Sequence, residues 1–205
     1  MENELIGALL QVLLFTLIPF LVFIIKNKSA KGFLNYIGLK KSTAKANYLA
    51  ALACLLFAAP LLILVLVSTD FKGLMLAPES VTGKFHLMGF SASSVIMLLA
   101  IALLKTALAE EILFRGFIAK RLIALMGYNK GNFIQAFIFG LIHAVMVAAI
   151  TTYIPFLILI FILPAIGSYI SVYLNEKIGN GSIIPGWISH GLANIIAYSV
   201  VGFLL

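Results

Sequence analysis

The stretch VIMLLAIALLKTALAEEILFRGF, residues 95–117, decides the fold. It begins as an uninterrupted apolar run and then sets two adjacent glutamates and an arginine into the same pattern. The rest of the 205-residue chain is equally short of charge: 63% of residues are hydrophobic and 10% charged. Soluble domains carry roughly 45–50% apolar and ~25% charged residues, so a soluble globular protein is excluded. The formal charge of +7 suggests a nucleic-acid binder only until the lysines are placed. They sit between apolar runs, as in a polytopic membrane protein, and form no stripe. The one cysteine, Cys54, lies in an apolar run, has no internal disulfide partner and reads as a packing residue.

About 20 apolar residues are needed to cross a bilayer. By that ruler six spans are predicted, at 5–25, 47–67, 88–114, 132–150, 154–174 and 183–204. The expected architecture is all-α: one membrane domain, 1–205, of about six transmembrane helices around a buried polar site. The first span follows the acidic start MENE and reads as retained rather than as a removed signal. Lys26, Lys28, Lys31, Lys40, Lys41 and Lys45 fall in or beside the first loop, Lys120, Arg121 and Lys130 after the third span, and Lys177 after the fifth. Only Lys72 and Lys84 stand in loops on the other side. The lysine-rich side is therefore expected to be cytosolic, with both termini outside. Within the first loop, FLNYIGL reads equally as a short surface helix or as a plain loop.

Glu2 and Glu4 are placed in the outer tail, Asp70 and Glu79 in an outer loop, Glu176 in a cytosolic turn and His86 near the outer end of the third span. That leaves Glu110, Glu111, His143 and His190 inside apolar runs. An ionised side chain at mid-bilayer costs on the order of 3 kcal/mol, so such groups mark function by default. Glu110 lies ten residues from Lys120, His143 eleven after Asn132 and His190 seven after Ile183. At ~1.5 Å per residue these are depths of roughly 15, 16 and 10 Å from the lysine-rich side. Spacings of four pair Glu111 with Arg115, Phe139 with His143 and His190 with Asn194. Gly140, Ala144, Gly191 and Ala193 are small enough to let the helices close on one another. Lys105, five residues before Glu110, has no natural partner on its own helix.

These residues resemble the CAAX-protease and bacteriocin-processing (CPBP, or Abi) membrane proteins, relatives of the Ras-converting endoprotease. The family pattern EExxxR, FxxxH, HxxxN reads here as EEILFR at Glu110–Arg115, FGLIH at Phe139–His143 and HGLAN at His190–Asn194, over a core of about 105–200. The resemblance implies an intramembrane endopeptidase without metal or other cofactor. Glu110 with His143 would activate water, Arg115 would hold Glu111, and His190 and Asn194 would donate to the oxyanion. The implied partners are a membrane-associated or hydrophobic peptide and the lipid bilayer, not nucleic acid. The site is expected to open to the cytosol, with peptide maturation or bacteriocin self-immunity as the setting. Two other readings use the same residues. One is a zinc protease, since two histidines and a glutamate form a known ligand set, although HExxH is missing. The other is a non-catalytic immunity or transport protein whose polar cluster only binds or packs.

Overall fold

A computed structural model describes residues 2–205, with side chains from Glu4 onward. The helices are α1 (Glu2–Asn27), the single turn α2 (Phe33–Tyr36), α3 (Ala44–Val67), and the short α4 (Thr69–Met75) and α5 (Val81–Met88). Four long helices follow: α6 (Ala92–Met126), α7 (Tyr128–Ala148), α8 (Ile154–Ile178) and α9 (Ile184–Leu204). No strand occurs among the described residues. Among the described residues six helices, α1, α3 and α6–α9, are long and apolar enough to cross a membrane. Their outer faces carry Leu9, Leu13, Leu56 and Val67, all more than 60% exposed. In water such a surface would aggregate, whereas in lipid it is solvated. The protein is a multi-pass membrane protein.

The third span departs from its predicted limits in a physically informative way. Gly89, at φ +65°, ends α5, and Ser91 then starts α6 with a capping box shared with Ser94. His86 therefore stands exposed on a separate short helix and not at the end of α6. At its other end α6 continues through the charged motif to Met126. Its 35 residues measure about 50 Å, longer than a ~30 Å hydrocarbon core. Two stretches, Ile101–Leu108 and Glu111–Ala119, wind as π-helix and bracket Glu110. Such widened turns are frequent at functional sites.

The two ends of the bundle are built differently. At the lysine-rich end the first loop is tied down: Gly38, at φ +74°, accepts a backbone bond from Ile183, and a Cβ there would lie 2.5 Å from the Gly181 carbonyl. Thr43 donates to Ile178, Ser182 to Lys40, and Lys120 pairs with Glu176. Phe33 and Ile37 pack on Phe23, Ile112 and Ile183, while Arg121 stacks 3.4 Å over Tyr36. FLNYIGL is thus one helical turn wedged into the bundle. At the opposite end α4 and α5 cover the helix tips, with Phe71 against Tyr153 and Phe156, and Phe85 against Tyr198 and Phe203. Glu4 lies in α1 rather than in a free tail and pairs with Lys84 at 2.9 Å and Lys105 at 3.0 Å. The partner Lys105 lacked on its own helix comes from 101 residues away.

Candidate active site

Helix α6 supplies the acidic doublet, whose two carboxylates share His190 and otherwise meet different neighbours. Glu111 is fully buried and Arg115, one turn on, is 3% exposed, with Nε 3.2 Å from Glu111 Oε1. The guanidinium also lies 3.9 Å over the Phe139 ring, which in turn meets Phe114 edge-on. A charge this deep needs more than one partner. Glu111 has a second in Asn175 on α8, whose Nδ2 is 3.4 Å from Oε2. Asn175 is itself fixed, because its Oδ1 accepts the Gly186 N–H at 2.8 Å. Gly186 is required by this close approach: a Cβ there would fall onto Glu111 Oε2 and within 2.8 Å of Asn175 Nδ2.

Glu110 faces a different set. Its Oε2 is 3.9 Å from His143 Nε2 on α7 and 3.9 Å from His190 Nε2 on α9. That oxygen is buried with no hydrogen-bond partner in the protein. His143 Nδ1 donates to the Phe139 carbonyl at 2.8 Å. A carbonyl only accepts, so the proton sits on Nδ1, and Nε2 of the neutral ring is free to accept. His190 bridges the doublet, with Nδ1 3.7 Å from Glu111 Oε1 and Nε2 turned to Glu110. Asn194, one turn further along α9, donates from Nδ2 to Thr106 Oγ1 at 2.8 Å. The Thr106 hydroxyl in turn donates to the carbonyls of Ile101 and Ala102. One amide N–H of Asn194 is thereby pinned, and the second makes no hydrogen bond among the described residues.

A cavity of about 360 Å³ joins these groups, lined by Glu110, Arg115, Phe139, His143, His190 and Asn194. Glu111 stands behind this wall as a support. All six residues picked out from the sequence therefore meet at one place, five on the cavity and one against it. Sequence reasoning missed Asn175 and Thr106. Thr106 carried a usable signal, lying four residues before Glu110, whereas Asn175 looked like part of a turn. The small residues act as expected at two positions: a Cβ on Gly140 would run into the Phe161 carbonyl of α8 and lie 2.9 Å from Ala165 Cβ, and one on Gly191 would lie 2.8 Å from Leu103 Cδ2. No group of three His, Cys, Asp or Glu side chains gathers as a metal-binding set among the described residues. A second cavity, about 390 Å³, lies across α6 around Glu4, Lys84 and Lys105 and shares only Thr106 with the first.

The depth counts need correction. Helix α7 begins at Tyr128, not near Asn132, so His143 lies fifteen residues, about 22 Å, from that end and only five, about 8 Å, from Ala148. His190, six residues or about 9 Å from the start of α9, stays near the lysine-rich end as expected, and the cavity lining also takes in Leu61 of α3, Met75 of α4, Met146 of α7 and Ile160 of α8.

The family description Type II CAAX prenyl endopeptidase Rce1-like matches residues 92–196, from the first turn of α6 to beyond Asn194 on α9. The chain belongs to this family. It is therefore a membrane protease, an intramembrane hydrolase of the CAAX endopeptidase type. The matched segment contains all three motif helices of this CAAX endopeptidase and leaves out α1 to α5. No curated protein and no solved structure matches the chain.

Proposed function

We propose that this CAAX-type endopeptidase hydrolyses a peptide bond with water activated by Glu110 and His143, without a metal. The observation that carries the reading is the position of Glu110 Oε2, unpartnered, buried and 3.9 Å from an imidazole nitrogen on each of two other helices. At 3.9 Å neither pair is a hydrogen bond, but one water at roughly 2.8 Å from each atom of the Glu110–His143 pair would satisfy both. Water oxygen attacks the scissile carbonyl carbon, and its proton passes to the Glu110 carboxylate. The carbonyl oxygen becomes an oxyanion that accepts from His190 and from the free N–H of Asn194. On collapse the C–N bond breaks and the proton held by Glu110 moves to the leaving nitrogen. Arg115 and Asn175 keep Glu111 fixed, and Glu111 Oε1 stands 3.7 Å behind His190 Nδ1, close enough for an electrostatic contact without a hydrogen bond. The Phe139 ring walls the reacting groups from the lysine-rich side.

Substrates fitting this site are peptides that are apolar or held at the membrane, because the cavity lies within a lipid-facing bundle and most of its lining is apolar. Peptide maturation or self-immunity against a bacteriocin is a setting consistent with that substrate class. The lysine-rich end, with Lys40, Lys41, Lys120 and Lys177, is assigned to the cytosol by its charge. The test is cleavage of a reporter peptide by purified protein in detergent. Wild type is expected to cleave and to continue in excess chelator, while Glu110→Ala and His143→Ala are inactive but folded. Full activity in either variant overturns the water-activation scheme, and loss on chelation with recovery on added zinc replaces it by the metalloprotease reading.

A further inference from the structure

Across α6 from the catalytic cavity, the first turns of α1, the helix α5 and the first half of α6 enclose the second cavity, of about 390 Å³. Its charges gather at one place. Glu4 Oε1 meets Lys84 Nζ of α5 at 2.9 Å, and Glu4 Oε2 meets Lys105 Nζ of α6 at 3.0 Å, so one carboxylate stands between two ammonium groups. Each lysine has three N–H donors and makes no other hydrogen bond among the described residues, which leaves two donors on each. Among the described residues no further charge lines the cavity, so it holds one positive charge in excess. Lys105 lies thirteen residues into α6, in an apolar run, where an ionisable group is costly and marks a site by default. The remaining walls are apolar. Phe85, Met97 and Ile101 are buried at the back, whereas Val81, Leu87 and Met88 are exposed and form the rim. Gln11 of α1 also lines the cavity, and its neighbours Leu9, Leu10 and Leu13 are exposed, so the rim adjoins the lipid-facing surface of α1.

We infer that this cavity binds a lipid with an anionic head, the carboxylate or phosphate lying between Lys84 and Lys105 and one acyl chain lying along Val81, Leu87 and Met88. The excess charge decides the head: a negative group collects charge-assisted hydrogen bonds from the lysine donors that Glu4 leaves over, and a cationic end is repelled. The rim decides the tail, because a bare anion leaves the exposed apolar wall uncovered. The volume lies near the lower end of the roughly 300–1,000 Å³ that holds a small ligand, which suits one chain beside the head rather than two. Glu4 is in this reading a resident competitor for the two lysines. Removing its charge then strengthens lipid binding. A Glu4 that served only to staple α1 to α5 and α6 gives the opposite sign, since its loss loosens the walls of the cavity. The site uses no part of the hydrolysis scheme and stands or falls without it.

The purified full chain in detergent micelles is titrated with lysophosphatidylglycerol, and the bound molecules are counted by native mass spectrometry. Lysophosphatidylcholine, palmitate and inorganic phosphate are the comparison probes. One lysophosphatidylglycerol is expected to bind, about tenfold or more tighter than lysophosphatidylcholine, and palmitate is expected to displace it. Lys105→Gln is expected to weaken binding about tenfold or more through the loss of a charged hydrogen bond. Glu4→Gln is expected to tighten it about threefold, the effect of removing one like charge close to the head. Equal binding of the two lysolipids, or a Glu4→Gln affinity at or below that of wild type, overturns the inference. So does displacement by inorganic phosphate as effective as that by palmitate, which makes this a site for a free anion. Glu110→Ala, in the catalytic cavity, is expected to bind lysophosphatidylglycerol as wild type does; loss of binding there places the lipid in the catalytic cavity and also overturns the inference. If Lys105→Gln does not fold, Lys84→Gln at its half-exposed position carries the same test, with an expected loss of about threefold, and unchanged binding overturns the inference.

Discussion

Replacing Arg115 by methionine isolates the support of the site from its chemistry. Methionine keeps most of the side-chain volume and removes the charge facing a carboxylate that has no exposure of its own. At 3.2 Å and an effective dielectric near 20, the attraction lost is about 5 kcal/mol. Stacking on Phe139 adds about 1 kcal/mol more. What remains to Glu111 is Asn175 at 3.4 Å and His190 at 3.7 Å, which compensates partially. Breaking a buried pair from one side is then expected to lower stability by about 3–5 kcal/mol. The double variant Glu111→Gln with Arg115→Met leaves no uncompensated charge and is expected to recover at least half of that loss. Denaturant unfolding in detergent micelles reads both, with Trp187 as the probe. It is the only tryptophan, and its Nε1 donates to the Leu103 carbonyl across the α6–α9 contact. A single variant within about 0.5 kcal/mol of wild type, or a double variant no better than the single, refutes the argument that Glu111 is a buried, paired carboxylate.

Three further outcomes follow from particular contacts. Thr106→Val removes the acceptor that pins Asn194 and is expected to lower kcat about three- to tenfold with little change in KM, while Thr106→Ser restores it; equal losses in both variants refute a role through the hydroxyl. Asn194→Ala is expected to lower kcat by roughly 100- to 1000-fold if its free N–H meets the oxyanion; a change in KM alone in steady-state kinetics argues instead for substrate binding. Gly186→Ala puts a methyl onto Glu111 and is expected to destabilise by about 1–3 kcal/mol, seen as an earlier unfolding midpoint; an unchanged midpoint means the α8–α9 junction is looser than drawn.

The six spans were legible because lipid demands continuous apolar runs, and that demand is written residue by residue. Their ends were less so. The ruler stopped the third span at 114, inside the charged motif, yet α6 continues to Met126 because those charges point inward, Arg115 to Glu111 and Glu110 toward His143 on α7. The motif residues were legible as ionisable groups in apolar runs, and the depth argument brought them together even though the start of α7 was misplaced by four residues. Three features lay beyond a linear reading. The π-helical turns that flank Glu110 follow from packing and leave no periodic signature. Glu4 serves Lys105 across 101 residues, and Asn175 serves Glu111 across 64. Contacts this distant in sequence are set by how the helices stagger, which a count from each apparent helix end does not contain.

The sharpest measurement is single-turnover cleavage of a reporter peptide by Glu110→Gln beside wild type, at equal folded concentration. Glutamine keeps the size and shape of the side chain and removes only its capacity to take and return a proton. The expected result is a slowing of at least roughly a hundredfold with substrate still bound. Cleavage within twofold of wild type contradicts the account.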